Sequence, residues 1–339
     1  MLYRAKAPLR ISFAGGGTDV PPFPEREGGL VLNSTINRYA YGTLRPRDDN
    51  QIQIESADFG LAQSHVAGEP LPLDGKLDLF KAAIRSVAGG DARGFDLFLH
   101  SGAPPGSGLG SSSTVIVTLV GLLKEFRNLP LTDYEVAGLS HAIERGQLGI
   151  LGGMQDQYAA TFGGFNFIEF GAERVIVNPL RIHGDVINEL EHNMLLAYTG
   201  KTRRSDHIIE DQTARFERRE EETLRGLRLQ KELAVEMQNA LLQRRVDAFG
   251  DLLHEAWEAK RRLSPRIATP FIEEAYAEAR RHGALGGKVT GAGGGGYMLF
   301  YCVFEKKHQV AEALVRLGAE VTEFAFEFDG LATWSMSGG

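Results

Sequence analysis

The sequence contains a single cysteine, Cys302, among 339 residues. One thiol cannot form an internal disulfide, and without further thiols it cannot build a structural zinc site. The surrounding run YMLFYCVF is apolar, which is typical of a small buried side chain. We therefore expect a protein of a reducing compartment.

Long hydrophobic stretches are also missing. The first residues, MLYRAKAPLRISF, are interrupted by charged and polar side chains and lack the apolar segment of a secretory signal peptide. Residues 101–123 carry no charge, but they become strongly apolar only near Val115, which leaves too few residues to span a bilayer. These absences predict a cytoplasmic protein without a membrane partner.

Positive charge is scarcer than negative charge. The 37 Lys and Arg residues against 44 Asp and Glu residues give a formal net charge of −7. An acidic chain repels polyanions unless its basic residues cluster, so nucleic acid is not expected as a partner.

Several common catalytic motifs are absent. No serine has glycine at both −2 and +2, and the run HEAWE, which starts at His254, ends in glutamate where a zinc helix needs histidine. The segment GAGGGG at residues 291–296 matches a dinucleotide fingerprint, but the β-forming run YMLFY follows it instead of a helix. These mismatches disfavour a serine hydrolase, a zinc peptidase and a nicotinamide oxidoreductase.

Length and glycine content are informative. A chain of 339 residues is long enough for two lobes, each with its own core. Glycine is abundant, with 41 residues, and much of this excess lies in a few clusters that would let the backbone approach a ligand. Mixed strand and helix patterns without strict alternation predict an α+β fold. We place the lobe boundary near residues 171–185, which gives lobes of 1–180 and 181–339.

Local patterns predict individual elements. Short strands are expected at Leu9–Phe13 and Tyr39–Leu44. A long apolar helix is expected from a hydroxyl-rich N-cap at Ser111 to Phe126. Thr132 and Glu135 form a capping-box pattern that begins another helix, which should reach about Arg145.

The loop GSGLGSSS at residues 106–113 lies between a predicted strand and this long helix. Backbone amides and the positive end of a helix converge there, and glycines allow close approach, so the loop suits a phosphate group. It is not a Walker A loop, because the lysine of that motif is missing. A plain serine-capped helix after a glycine turn is the alternative.

Three segments, taken together and in order, resemble the three motifs of the GHMP small-molecule kinases. They are PLRISFAGGGTD at residues 8–19, PPGSGLGSSS at 104–113 and KVTGAGGGG at 288–296. Within this family, the stretches GGGTDVPPF and LNSTINRYAYGTL are most similar to kinases of D-glycero-α-D-manno-heptose 7-phosphate. The sugar fucokinases share a similar Gly-Gly-x-Thr-Asp stretch. Gly16 and Gly17 stand where galactokinase-like sequences have Glu and His, which disfavours galactose.

The resemblance implies a two-lobed α+β fold with an N-terminal lobe like ribosomal protein S5, a ferredoxin-like C-terminal lobe and an active site between them. It implies Mg²⁺ held by Ser112 and Glu144, and Asp156 facing the reacting hydroxyl with Arg10 beside it. The sequence leaves open whether Asp156 abstracts the proton or orients the hydroxyl. The implied ATP-binding residues are Pro105, Gly106, Ser107, Gly108, Leu109, Gly110, Ser111, Ser112 and Ser113. The implied substrate-binding residues are Thr18, Asp19, Gly293 and Gly294.

The expected reaction is ATP-dependent phosphorylation of the anomeric hydroxyl of a sugar phosphate, from D-glycero-D-manno-heptose 7-phosphate to the 1,7-bisphosphate. Alternatives are a kinase of an unphosphorylated sugar such as fucose, a non-catalytic sugar- and ATP-binding regulator, and an ATP-using enzyme with another outcome, such as decarboxylation. A sugar phosphate brings a second dianion to the site. Lys201, Arg203 and Arg204 are predicted to bind it, with a solvated basic loop as the alternative.

Overall fold

The computed structural model describes residues 1–89, 93–200 and 206–337. The strands are β1 (Leu2–Ala14), β2 (Gly29–Pro46), β3 (Gln51–Ser56), β4 (Leu61–Val66), β5 (Phe95–Ser101), β6 (Phe165–Phe170), β7 (Val175–Pro179), β8 (Met194–Tyr198), β9 (Ala284–Val289), β10 (Tyr297–Cys302), β11 (Glu320–Thr322), β12 (Phe326–Glu327) and β13 (Ala332–Met336). The helices are α1 (Phe23–Glu27), α2 (Asp78–Val87), α3 (Ser111–Arg127), α4 (Asp133–His141), α5 (Gln155–Phe162), α6 (Gly184–Asn193), α7 (Asp206–Glu217), α8 (Glu221–Leu242), α9 (Asp247–Arg261), α10 (Pro270–Arg281) and α11 (Lys307–Arg316). A π-helical segment, Ala142–Gln147, continues α4.

The strands form two sheets. The larger has the order β13-β1-β2-β5-β3-β4, and β2 also pairs with β12 and β6, which in turn pairs with β7. Its β3 and β5 run parallel, while its other pairs are antiparallel. The smaller sheet has the antiparallel order β11-β8-β10-β9. The predicted α+β class is confirmed.

The first two strands are much longer than the short strands predicted at Leu9–Phe13 and Tyr39–Leu44. Strand β2 pairs with β1 over most of its length, with β6 near its start and with β5 near its end. A register shift between Pro8 and Leu9 lets β1 continue past the proline. Pairing with distant strands therefore extends both elements beyond their local signals.

Helix α3 carries the central glycine loop into the fold. The helix predicted at Ser111–Phe126 is confirmed and extends to Arg127. It packs against β1 and β2 on one side and against α2, α4 and α5 on the others, so its side chains are buried almost all round. A Cβ at Gly121 would lie 2.6 Å from a methyl carbon of Leu331, which shows how closely the chain crosses it.

The core connects the two sheets. One apolar cluster contains Phe13 of β1, Phe249 of α9 and Leu299 of β10. Cys302 is buried as expected, and burial raises the pKa of its thiol to about 12. The division at residue 180 stays a prediction, and β12 and β13 return to the larger sheet after the smaller one is complete. No helix in the described part of the chain combines the length and apolar character that crossing a bilayer requires.

Candidate active site

A cleft lies where the three glycine-bearing segments meet. Parts of all three segments line it, within the ranges Ser12–Asp19, Gly106–Ser113 and Lys288–Gly295. Side chains of α7 and α9 line it as well. The cleft is concave and is lined mainly by glycine backbone and polar side chains, which suits a small polar ligand. The fold therefore brings together segments that are far apart in the sequence.

The central loop presents its backbone to the cleft. Gly106, Gly108 and Gly110 have φ values of 75°, 84° and 75°, a conformation that other residues rarely adopt. A Cβ at Gly291 would lie 2.5 Å from Gly108 Cα, so only glycine allows the loops to pack this closely. The close packing fixes the amides of the central loop at the floor of the cleft.

The start of α3 is not capped by a serine, and the predicted hydroxyl N-cap is therefore wrong. Gly110 occupies the N-cap position, and no side chain accepts a hydrogen bond from the first amides there. The hydroxyls of Ser112 and Ser113 donate instead to the Glu144 carboxylate. The first amides of α3 are thus available to an anion in the cleft.

The predicted ATP-binding residues divide by position. Those that line the cleft are Gly106, Gly108, Gly110, Ser111, Ser112 and Ser113, whereas Pro105, Ser107 and Leu109 do not line it. Leu109 is fully buried in the core, and its carbonyl accepts a hydrogen bond from Arg10 N at 3.1 Å. The Ser107 carbonyl accepts one from Tyr297 N at 2.8 Å. Both residues thereby hold the loop in place.

Glu144 is fully buried at the start of α3. Its Oε1 accepts a hydrogen bond from Ser112 Oγ at 2.7 Å, and its Oε2 accepts one from Ser113 Oγ at 2.7 Å and one from Gln157 Nε2 at 2.6 Å. Arg145 Nη1 lies 3.5 Å from Glu144 Oε1. Both charged residues belong to the π-helical segment, which replaces the predicted end of the helix near Arg145 and turns these two side chains toward the cleft.

The pair Ser112 and Glu144 offers one hydroxyl and one carboxylate beside the anion-binding end of α3. These are the oxygen ligands that Mg²⁺ prefers, and Mg²⁺ bound with a nucleotide takes its remaining ligands from phosphate oxygens and water. Among residues 1–89, 93–200 and 206–337, no group of three or more His, Cys, Asp or Glu side chains is arranged to hold a metal. The residues thus fit a phosphate-bound Mg²⁺ rather than an ion held by protein alone.

Arg10 and Asp156 form an ion pair across the cleft floor. Arg10 Nε donates to Asp156 Oδ1 at 2.7 Å. Arg10 Nη1 donates to the carbonyls of Gly108 at 2.7 Å and Thr290 at 3.3 Å, so the same guanidinium connects both glycine loops to the carboxylate. Arg10 is 4% exposed, which makes its position fixed rather than adaptable.

Asp19 lines the cleft from the turn that follows β1. Its carboxylate accepts hydrogen bonds from Gly17 N at 3.0 Å and from Gln155 N at 3.1 Å. Gly153 packs directly against it, because a Cβ there would lie 1.9 Å from Asp19 Oδ2. These contacts hold a buried carboxylate at one fixed place in the wall.

Thr18 differs from its neighbour Asp19, because it is fully buried and does not line the cleft. Its hydroxyl donates to Gly15 O at 2.8 Å and accepts from Leu30 N at 3.0 Å. The structure thus places this predicted substrate-binding residue inside the turn that positions Asp19.

Thr18→Val should lower the free energy of unfolding by about 1–3 kcal/mol, because the isosteric side chain leaves Leu30 N without its partner. Chemical denaturation measures this change, and steady-state kinetics of the reaction expected from the sequence measures the KM for the sugar phosphate. We expect that KM to stay within about twofold of the parent value, since Thr18 does not face the cleft. A large rise in KM without loss of stability would show direct contact with the substrate.

The other predicted substrate-binding residues also differ in whether they line the cleft. Gly293 lines the cleft, whereas Gly294 does not and donates its amide to Ile267 O at 2.8 Å. Lys201, Arg203 and Arg204 lie outside the described residues, so their predicted role stays a prediction.

Two cleft lysines were not assigned from the sequence. Lys288 Nζ donates to Ser12 O at 2.8 Å, and burial lowers the pKa of this ammonium well below its usual value. Lys260 of α9 also lines the cleft, and burial lowers its pKa to about 8, with Asp19 opposing the shift and Arg10 adding to it. Lys288 begins the third glycine motif, a signal that could have found it. Lys260 stands in the charged run EAKRR, which is typical of a solvated helix face.

The sequence matches protein-family models and is similar to known proteins. Residues 78–164 match the family model of the GHMP kinases N terminal domain, and residues 237–322 match that of the GHMP kinases C terminal domain. The chain is 39% identical over 335 residues to a D-glycero-alpha-D-manno-heptose 7-phosphate kinase of Campylobacter jejuni, and the match covers 98% of each chain.

Solved structures extend the comparison. A crystal structure of a D-glycero-D-manno-heptose 1-phosphate kinase from Bacteroides thetaiotaomicron superposes with a TM-score of 0.83 at 36% identity, covering 99% of this chain and 100% of that one. A galactokinase of Lactococcus lactis in complex with galactose has a TM-score of 0.78 at 19% identity, covering 99% of this chain and 95% of that one. At that identity, the second likeness concerns the fold alone.

Proposed function

Since the chain belongs to the GHMP kinases, we propose that it transfers the terminal phosphoryl group of ATP to the anomeric hydroxyl of a sugar phosphate, with D-glycero-D-manno-heptose 7-phosphate as the acceptor. The observation that carries this proposal is the Arg10–Asp156 ion pair, which faces the uncapped amides of α3 within one cleft. A proton acceptor and a phosphate cradle are the two parts that such a transfer requires.

Asp156 is the proposed proton acceptor. Arg10 Nε holds its Oδ1, and no described residue makes a hydrogen bond to its Oδ2. That oxygen can accept the proton of the attacking hydroxyl while the new bond forms between the sugar oxygen and the terminal phosphorus of ATP. The bond from that phosphorus to the bridging oxygen breaks, and ADP leaves. The positive charge of Arg10 reduces repulsion between the sugar oxygen and the phosphate oxygens.

The proposed ATP site is built on the central loop. The amides of Gly106, Gly108 and Gly110 and the start of α3 would donate hydrogen bonds to the phosphate oxygens, and the close contact between Gly108 and Gly291 fixes their direction. Ser112 and Glu144 would hold Mg²⁺, which when bound neutralises charge on the phosphate oxygens. The Ser113 and Gln157 hydrogen bonds to Glu144 keep its carboxylate in place.

Glu144→Gln should raise the Mg²⁺ concentration required for half the maximal rate by about tenfold or more, because an amide is a weaker ligand than a carboxylate. A titration of the rate with Mg²⁺ at constant ATP measures this change. Glu169→Gln on the exposed surface of β6 is the matched control and should titrate like the parent. An unchanged Mg²⁺ dependence in a folded Glu144→Gln protein would leave Glu144 with a structural role only.

The acceptor is tested by measuring ADP release with a panel of sugars. The panel includes heptose 7-phosphate, heptose 1-phosphate, the unphosphorylated heptose, fucose and galactose, and phosphorus NMR identifies each product. We expect the highest kcat/KM with heptose 7-phosphate and a 1,7-bisphosphate product. A higher value with an unphosphorylated sugar would overturn the proposal, as would ADP release accompanied by loss of CO₂ from a phosphorylated acid.

The alternative functions have less support. A non-catalytic regulator has no need of the Arg10–Asp156 pair or of a fully buried Glu144 beside the phosphate cradle. The cytoplasmic location and the absence of a nucleic-acid partner stay predictions.

A further inference from the structure

Lys260 is a buried cation in the wall of the cleft. It is 6% exposed, and α9 directs it into the cleft, while its neighbours Trp257 and Ala259 anchor the helix in the core. Within the described part of the chain its ammonium makes neither a hydrogen bond nor an ion pair. A cation that is shielded from bulk water is costly unless another group compensates its charge, so this position favours an anion bound in the cleft.

The surroundings of Lys260 do not provide that anion. Asp19 attracts the ammonium, but the carboxylate of Asp19 already accepts hydrogen bonds from two backbone amides and from the side chain of Gln155. Arg10 and Lys288 are also near and repel it. Arg10 is already paired with Asp156, so among the described residues Asp19 is the carboxylate that faces Lys260, with Lys288 beside it as a second ammonium.

The position of Lys260 distinguishes it from the proposed ATP site. The phosphate cradle, Ser112 and Glu144 belong to α3 and the π-helical segment, whereas the end of α9 that carries Lys260 packs on the turn after β1, where a Cβ at Gly17 would lie 3.0 Å from Leu263 Cδ1. We propose that Lys260 binds the phosphate group of the acceptor sugar phosphate and so makes the enzyme prefer an anionic acceptor to a neutral sugar. This inference rests on the proposed function and adds the residue that recognises the second phosphate.

A phosphate bound here would give the Lys260 ammonium the anionic partner that it lacks among the described residues. Its oxygens can accept charge-assisted hydrogen bonds from the ammonium, and these bonds are stronger in a water-poor wall than at the surface. The pKa of Lys260, lowered to about 8, still leaves the side chain mainly protonated at neutral pH, and a bound dianion favours that form further.

The experiment compares two acceptors in two variants of the full chain. Lys260→Met keeps the length and apolar part of the side chain and removes its charge. Lys231→Met is the matched control, since Lys231 is a half-buried helix lysine that donates to Glu27 O outside the cleft. Steady-state kinetics is measured with the sugar phosphate and with the same sugar without its phosphate, and the KM for ATP is measured in parallel.

We expect Lys260→Met to raise the KM for the sugar phosphate by about 10- to 100-fold, the range for a lost hydrogen bond to a charged group. The KM for the unphosphorylated sugar and the KM for ATP should stay within about twofold, so the preference for the phosphorylated acceptor falls. Lys231→Met should behave like the parent with all three substrates. A higher melting temperature of Lys260→Met is also expected, because the variant no longer buries an unpaired charge.

Other results would overturn the inference. An equal loss with both acceptors would place Lys260 at the sugar ring or at the transferred phosphoryl group, and an unchanged KM for the sugar phosphate would remove it from recognition. In both cases the proposed kinase function survives. If the parent enzyme itself phosphorylates only unphosphorylated sugars, the proposed function fails and the inference fails with it. Lys260→Arg, which retains a cation, should keep most of the preference if Lys260→Met loses it through charge rather than through misfolding.

Discussion

Asp156→Asn lowers the turnover number by about 10² or more and leaves the affinity for ATP close to that of the parent. The amide keeps the shape of the carboxylate, but it cannot take the proton of the attacking hydroxyl. It also ends the ion pair with Arg10, because the amide oxygen can still accept a hydrogen bond from Arg10 Nε but carries no charge. Rapid-mixing measurement of the first turnover separates this chemical step from product release, and equilibrium titration gives the ATP affinity.

Asp96→Asn is the control for this variant. Asp96 lies on β5 outside the cleft and is also paired with arginines, Arg45 and Arg47, so the substitution removes a comparable ion pair away from the chemistry. Its turnover should match that of the parent. If Asp156→Asn also turns over at nearly the parent rate, Asp156 takes no part in proton transfer.

Gly153→Ala should reduce kcat/KM for the acceptor by about 10², although the substitution adds one methyl group. The new Cβ would lie 1.9 Å from Asp19 Oδ2 and 2.5 Å from Asp19 Cγ, so the carboxylate must move. Asp19 is buried and held by the amides of Gly17 and Gln155, and a displacement therefore breaks the hydrogen bonds that position it. A misplacement of about 1 Å in a positioning group is enough for a loss of this size.

Gly138→Ala is the matched control for Gly153→Ala. A Cβ at Gly138, within α4, meets nothing within 4 Å, and alanine favours the helix by up to about 1 kcal/mol. We expect this variant to have parent kinetics and an equal or higher melting temperature. The acceptor dependence of the rate is measured for both variants at saturating ATP. Parent-like kcat/KM in Gly153→Ala would mean that the position of Asp19 is unimportant for the acceptor.

Local sequence predicts those parts of the fold that depend on nearby residues. The capping box of α4 is confirmed because its two partners, Thr132 and Glu135, lie within one helical turn. The π-helical segment after His141 has no such local signal in AIERGQ. It brings Glu144 to Ser112 and Ser113 of α3, so the feature is defined by contacts between distant parts of the chain.

The same distinction applies to the candidate site. The three glycine segments could be grouped from their order and likeness to a family, and Arg10, Asp19 and Asp156 do line one cleft. The sequence does not indicate that Thr18 and Asp19 have different roles. Only the folded turn shows that the Thr18 hydroxyl forms hydrogen bonds with backbone groups instead of facing the cleft. The sequence EAKRR does not indicate which of Lys260, Arg261 and Arg262 is buried. The packing of α9 against the rest of the fold buries Lys260.

Strand β13 has a consequence for synthesis of the chain on the ribosome. Ala332–Met336 is translated after every other described element, yet it pairs with Leu2–Lys6 of β1, which is translated before all of them. During elongation, β1 therefore remains an unpaired edge strand of the larger sheet. Unpaired edge strands can pair with strands of other molecules. A chain that ended after β11 would contain every strand of the smaller sheet, while its first strand would remain open to intermolecular pairing.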